Sequence, residues 1–318
     1  MACVAADFDS LPDELILLIF ALVHDIRDIL SFYLVSKRVA FVISRCSHLC
    51  FKLLHPVRFT SYSYIDDRFL PLENDALRRL TVVLRLFGDV SSLYIEMPCS
   101  CRELDDMGYL PATFKWKVKV GCRFESFAYM GVDSMGESSA TTAGHQHPMN
   151  GQGWGVHGNA GMRSYVEIAG PICFAMHIYQ FMILLIDRHP MLRCVKVVDS
   201  GRHGGITIGG EELIEVRRAL GDNSLIFSPS ITDMDTHLKV WYQPSMLLDL
   251  CNVTVHGVRL LIYRGDNMME EADGESDQER DSRLVFSDEF EDDVGSVFEG
   301  AMLQLFISYP VGTIIEMQ

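Results

Sequence analysis

Residues Phe8 to Leu49 read FDSLPDELILLIFALVHDIRDILSFYLVSKRVAFVISRCSHL, and the interpretation of the whole chain turns on this stretch. Ser10 is a good N-cap, able to accept a hydrogen bond from a free backbone N–H, and Pro12 falls just inside the start, where a missing N–H costs nothing. Asp13 and Glu14 occupy the first turn, where the helix dipole favours acids, and Leu15, Leu18, Ile19 and Leu22 recur at helical spacing. Ile16, Leu17 and Phe20 widen the apolar surface beyond one face. A second helix is expected over roughly Ile26 to Phe32, with Ile29, Leu30 and Phe32. A third is expected over roughly Ser36 to Cys46, with Val39, Phe41, Val42 and Ile43. A unit of about 40 residues cannot bury so much apolar surface within itself, because small domains bury a smaller share of what they expose when unfolded. Part of that surface is therefore expected to serve another protein.

The rest of the chain sets bounds on the partner. At 318 residues it is long enough for about two domains. A formal charge of −16 argues against nucleic acid, whose phosphates are bound by Lys and Arg that release counterions. The charge is concentrated: Asp266 to Asp293 holds thirteen acids against Arg280 and Arg283, a net of −11, so the remainder carries only −5. Such a segment is expected to be a solvated, disordered linker. Nine cysteines without regular spacing, and a start lacking the pattern of a signal peptide, suggest reduced thiols in a cytoplasmic or nuclear setting. Pro171 to Pro190 is the most lipophilic run, but His177, Tyr179 and Gln180 interrupt it, so a buried helix is expected there and no membrane span.

Downstream, Val57 to Phe59 with Tyr62 and Tyr64 suggests a short strand, and Glu73 to Phe87 a helix stopped by Gly88. Val90 to Met97, Lys115 to Val120 and Ser126 to Met130 read as strands. Gly131 to Gly161 is rich in Gly, Ser, Thr, Asn and His, and is expected to be a mobile insertion. His145, His147 and His157 within it lack paired-ligand spacing, so no metal is expected. Order should resume at Arg163 to Ile168, followed by a helix over Pro171 to Arg188 that His189-Pro190 closes. Met191 to Val198 is a strand candidate, and Asp199 to Gly210 reads as a turn, a short Ile206–Ile208 extension and a second turn. It lacks the Lys-Ser/Thr ending of a phosphate-binding loop, so no nucleotide or other cofactor is expected. A helix over Glu211 to Leu220 and strands over His237 to Tyr242 and Cys251 to Tyr263, joined through Pro244 to Leu250, complete the pattern. The alternation from Glu73 to Tyr263 predicts an α/β domain, α+β with the N-terminal helices included. Val90 to Ile95, Met191 to Val197 and His237 to Trp241 look like irregular leucine-rich-repeat units, with spacing too uneven to establish a solenoid. No nucleophile–base–orienter set emerges from local spacing, so no catalytic residue is assigned.

The opening stretch resembles the F-box, the adaptor-binding module of Skp–cullin–F-box ubiquitin ligases. Leu11-Pro12, Ile19, Asp28-Ile29-Leu30 and Val35-Ser36-Lys37-Arg38 carry the resemblance, with Ile29 and Val39 as apolar departures. The region to Tyr263 resembles a plant F-box group that includes the auxin up-regulated F-box proteins, through Ser91–Pro98, Phe114–Val118, His189–Leu192, Gly209–Arg217 and His237–Pro244. The resemblance implies a substrate receptor that docks on a Skp-type adaptor, and through it on a cullin–RING assembly, while the α/β domain holds an unidentified target. It assigns the adaptor contact to Leu11, Pro12, Leu15, Ile19, Leu30, Val35 and Lys37. The corresponding division is residues 8–49 for the F-box, 50–264 for recognition, 265–293 for the acidic segment and 294–318 for a C-terminal apolar piece. Two other functions fit the same residues: a scaffold that binds the adaptor outside a ligase, and a receptor regulated by a small molecule.

Overall fold

The computed structural model describes residues 11–23, 25–53, 75–98, 113–137, 159–222, 238–248, 253–264, 301, 304 and 313–315. The fold is α+β, and its contacts divide the chain into two units. The first comprises Met1–Ser100, Val120–Arg123 and His177–Ser228, and the second Cys101–Lys119, Phe124–Met176 and Pro229–Gln318.

The first unit begins with α1 (Asp13–Ala21), α2 (Ile26–Val35) and α3 (Lys37–Ser44). The N-cap of α1 is Pro12, whose side chain makes no capping bond, while Ser10, the cap expected from sequence, lies outside the described residues. The other two caps are made by side chains: Asp25 accepts from the Arg27 N–H and Ser36 from the Val39 N–H. The extended Ser36 (φ −154°, ψ 160°) ends α2 and starts α3 in one residue, and both helices have the lengths their apolar periods allow. After α3 comes β1 (His48–Lys52), which sequence reading missed, so the expected 49/50 boundary falls inside a strand.

With β2 (Ser92–Met97), β6 (Cys194–Asp199) and β7 (Gly205–Gly209), β1 forms a four-stranded sheet in the order β1-β2-β6-β7. The first three strands are parallel and β7 returns antiparallel. One face is apolar and buried, with Leu49 and Phe51, then Leu93, Ile95 and Met97, then Val195 and Val197, then Ile206 and Ile208. The period-two alternation puts these side chains on one side and His48, Cys50, Lys52, Tyr94, Glu96, Lys196 and Thr207 on the other. Helix α4 (Asp75–Leu84) buries Leu80, Val83 and Leu84, and α6 (Gly210–Gly221) buries Leu213, Val216 and Ala219 and packs on β7. Between them in sequence runs α5 (Asn159–Arg188). It starts twelve residues before the expected Pro171 and carries that proline in its interior. Its last turns bury Ile178, Met182, Leu185 and Ile186 in the first unit.

The connection from α5 to β6 is clasped from α6. Arg217 Nη2 donates to the carbonyls of Pro190 (2.7 Å) and Leu192 (2.5 Å). Just before it, the His189 imidazole has a buried Nε2 without a hydrogen-bond partner. Burial, then the positive charges of Arg85 and Arg188, hold its pKa below the usual histidine value. The unfolded chain therefore takes up this proton more readily than the folded one. The stability His189 contributes is complete above about pH 6.5 and is lost as pH falls through the lower folded-state pKa. Urea midpoints measured from pH 7.5 to pH 5 should fall less steeply for His189→Gln than for the wild type; identical slopes would remove His189 as the cause.

The second unit is an antiparallel sheet in the order β10-β8-β9-β4-β3, with β5 also paired to β9. Its strands are β3 (Thr113–Val120), β4 (Phe124–Val132), β5 (Ser134–Glu137), β8 (Leu238–Leu248), β9 (Val253–Arg264) and β10 (Thr313–Ile315). Two corrections follow. Of the expected mobile insertion, residues 131–132 and 134–137 are strand, 159–161 open α5 and 138–158 lie outside the described residues, and Pro244, expected to open a connection, lies inside β8. One side of the sheet carries an aliphatic cluster of Ala128, Met130, Val132, Met246, Leu248, Val255, Val258, Leu260 and Ile262, joined by Trp241 and Ala301. Ring contacts elsewhere in the unit join Phe114 to Tyr129 (5.9 Å), Trp116 to Phe127 (6.4 Å) and Phe124 to Tyr263 (6.0 Å), and Phe174 of α5 meets Trp116 edge-on at 6.0 Å.

At a single level of this sheet the pairing is interrupted on both sides of β9. Gln243 pairs with Val258 and Ser245 with His256, so Pro244 stands opposite Gly257. Gly131 pairs with Arg259 and Ser134 with His256, so Asp133 stands opposite the same glycine from the other side. Gly257 has φ +62°, the left-handed region open to glycine, and Asp133 is held there by a fork from Arg259, with both Nη–Oδ distances 3.0 Å. The buried side chains change parity across this level, from Val258, Leu260 and Ile262 to Val255 on β9, and from Trp241 to Met246 and Leu248 on β8. The expected strand over Val57–Phe59 and the expected acidic linker lie outside the described residues, as does most of 294–318, where Ala301 and Gln304 are helical.

Candidate partner-binding surface

The three N-terminal helices sort their apolar residues into two populations. Ile16 and Phe20 on α1, Ile29 on α2 and Val39, Val42 and Ile43 on α3 are buried. Leu15 and Leu18 on α1, Leu22 at its C-cap, Leu34 and Val35 at the end of α2 and Phe41 on α3 remain exposed. The stripe read from sequence on α1 is thus mainly its outward face, and the residues that widened it, Ile16 and Phe20, point into the core. Exposed leucines at i, i+3 and i+7 form a contiguous ridge, unlike the scattered apolar residues of an ordinary surface.

The start of α1 is tied to α3 by one side chain. Arg38 Nη2 donates to the Leu11 carbonyl and to Asp13 Oδ1, each at 2.6 Å. The Pro12 carbonyl accepts from the N–H groups of Leu15 and Ile16, both at 3.1 Å. The Leu-Pro pair is therefore presented on a fixed turn. Of the residues expected to contact a partner, Pro12, Leu15, Val35 and Lys37 are exposed, and Leu11, Ile19 and Leu30 are half-buried. All seven lie on or beside these three helices.

Sequence reading left out one part of this surface. An open groove of about 650 Å³ lies along α2 and α3, lined by Tyr33, Leu34, Ser36, Lys37, Ala40, Phe41 and Ser44. Only Lys37 among them belongs to the expected contact set. Leu34 is 81% exposed and Phe41 63%. Their signal in the sequence is an apolar residue seven apart on either side of the Ser36 break, which a single-helix period does not reveal.

Elsewhere the groups that attract chemical readings have local partners. Asp199, fully buried, contacts His203 Nδ1 and accepts from the His203 N–H at 3.3 Å. Its own N–H bonds the Gly204 carbonyl (2.9 Å), and the Ser200 N–H bonds the Met97 carbonyl (2.7 Å). A side chain at Gly201 would overlap the His203 ring. The Gly-rich run is therefore a hairpin loop from β6 to β7, wrapped around a carboxylate, where a phosphate-binding loop would lead into a helix N-terminus. On the open side of the four-stranded sheet, burial and the Glu96 charge raise the pKa values of Cys50 and Tyr94, and Lys52 pairs with Glu96 at 2.7 Å. Cys46, Cys50, Cys122 and Cys194 are free thiols. Among the described residues no three His, Cys, Asp or Glu gather as a metal would require, and no helix is long and apolar enough to cross a membrane.

No protein-family model, curated protein or solved structure matches the chain.

Proposed function

We propose that this chain is the substrate-recognition subunit of a Skp–cullin–F-box ubiquitin ligase, with α1 to α3 as the F-box. The observation that carries the reading is the outward ridge of Leu15, Leu18 and Leu22 beside an exposed Pro12, on a turn held by Arg38. These are large apolar side chains on a small helical unit whose own core is already supplied by Ile16, Phe20, Ile29, Val39 and Ile43. Interface energy concentrates in a few such anchors. The adaptor contact is assigned to Leu11, Pro12, Leu15, Ile19, Leu30, Val35 and Lys37, and the remaining α+β body to target recognition. The parallel β1, β2 and β6, adjacent in space and successive in the first unit, support an irregular leucine-rich-repeat-like arrangement for part of that body. The chain performs no chemistry in this role; it raises the effective concentration of a target near a ubiquitin-loaded enzyme.

The test uses the full chain and a purified Skp-type adaptor. Leu11→Ala combined with Pro12→Ala should weaken binding about a hundredfold, the scale of a lost hot-spot pair. Cullin should co-purify with the wild type only through the adaptor. Full adaptor binding by the double variant, or none by the wild type, would sink the reading.

A further inference from the structure

The four-stranded sheet has two edges, and they differ. Among the described residues no strand pairs with the outer side of β1 or of β7. β7, Gly-Ile-Thr-Ile-Gly, carries no charged side chain and runs directly into α6. β1 carries His48 and Lys52, both exposed, and follows the exposed Arg45 at the end of α3. From Ile29 to Lys52 the sequence holds no carboxylate and four Lys and Arg, in a chain of net charge −16. Lys52 reaches across to Glu96 of β2 at 2.7 Å and keeps about half of its side chain exposed.

The phase of the ladder decides which backbone groups face outward. The Leu53 N–H bonds the Glu96 carbonyl and the Ser92 N–H bonds the Ser47 carbonyl, both at 2.9 Å, so odd-numbered positions along β1 turn their backbone groups toward β2. Cys50 and Lys52 turn theirs to the open edge. At the start of that edge the His48 carbonyl accepts from the Cys46 thiol at 2.9 Å.

We propose that the outer edge of β1 takes up an extended acidic segment of a partner protein as a further strand, its backbone paired with Cys50 and Lys52 and its carboxylates toward Lys52 and Arg45. A free sheet edge is a template for an added strand: main-chain bonds supply affinity, and alternate side chains supply specificity. Lysine on an edge guards against indiscriminate pairing, and here it favours a strand that brings acids. Two copies of this chain paired antiparallel about Cys50 would set Lys52 of each opposite His48 of the other and gather the cations of both on one seam, which disfavours self-pairing. Under the function proposed above the segment belongs to the ubiquitylation target, an assignment that rests on that reading.

The experiment uses the full chain and a short fluorescein-labelled alternating valine–glutamate peptide, with a valine–lysine peptide as counterpart, followed by anisotropy and residue-resolved hydrogen exchange. In the free chain the Cys50 and Lys52 amides should exchange about tenfold or more faster than the Phe51 amide, and the acidic peptide should protect them. Protection of both before peptide is added would overturn the proposal, since the chain itself would already fill the edge. Cys50→Pro removes an outward N–H and no ladder bond, so it should weaken the acidic peptide about tenfold or more with Phe51 still protected, while Cys50→Ser should bind as the wild type does. Arg45→Glu/Lys52→Glu should reverse the preference between the two peptides. Independently of any variant, N-methylation of the peptide at alternate residues should abolish binding in one phase and spare it in the other. Equal binding in both phases, or equal binding of acidic and basic peptides, would rule out strand addition at this edge. A wild-type dimer dissolved by Cys50→Pro would replace the proposal with self-pairing. Adaptor binding is untouched by these substitutions, so failure here spares the ligase reading, and a wild type that binds no adaptor leaves the peptide result standing.

Discussion

Gly257→Val should destabilise the unit built on the antiparallel sheet by roughly 3–5 kcal/mol, more than most single substitutions. Two costs combine. A β-branched residue is held at φ +62°, where L side chains clash with their own backbone. The added Cβ would also lie 2.9 Å from Asp133 Cβ and well inside contact distance of its carboxyl group, which the Arg259 fork holds in place. Hydrogen exchange at the Leu260 and Ile262 amides reports the loss. Gly257→Ala should show a smaller loss, and adding Asp133→Gly should recover the steric part while leaving the backbone strain. Wild-type protection in Gly257→Val would mean that the interrupted pairing beside β9 is not built on this residue.

Phe20→Ala should cost about 3–5 kcal/mol in the other unit. Phe20 is 2% exposed and its ring lies 5.9 Å from that of Phe87, just beyond α4, so it joins the N-terminal helices to the body that carries the parallel strands. Contacts between α1 and β1 and between α2 and α4 make the same connection. Exchange protection should therefore fall together in α1 and in β2 and β6. Leu18→Ala, on the exposed ridge of the same helix, should change stability by less than about 0.5 kcal/mol. If Phe20→Ala releases α1 alone, the N-terminal helices are an independent domain. The contrast also separates the tests of binding from those of folding, since the proposed anchors and the groove residues lie outside this core.

Helices were legible wherever capping and period agreed. The third helix starts at the Ser36 expected to open it, α6 stops at Gly221 while α4 ends at Leu84, short of the expected Phe87, and β2 and β6 show clean alternation. The errors have a common physical source, because composition was read where pairing decides. Gly131 to Glu137 reads as loop chemistry, but β9 supplies a hydrogen-bonding partner strand for it. Pro244 reads as a terminator, yet it lies opposite a glycine kink where the ladder is already broken. Alternating helices and strands predicted one α/β arrangement, whereas β3–β4 and β8–β9 are antiparallel pairs in a sheet of their own. On α1 the period was visible and its direction was not, since inward and outward leucines share one spacing and only packing against α3 and Phe87 tells them apart.

The long helix α5 begins in one unit and ends in the other, and each unit is assembled from three separated pieces of chain. During synthesis the N-terminal helices, β1 and β2 therefore emerge long before β6, β7 and α6, which complete the sheet, and Leu93 of β2 waits for its partner Val195, 102 residues further on. The usual order, in which an N-terminal domain is finished before the next begins, is closed to this topology. Neither unit can be obtained by cutting the chain once, so an exposed leucine ridge made first must remain in solution, or be held by its partner, while the rest of its unit is still being translated.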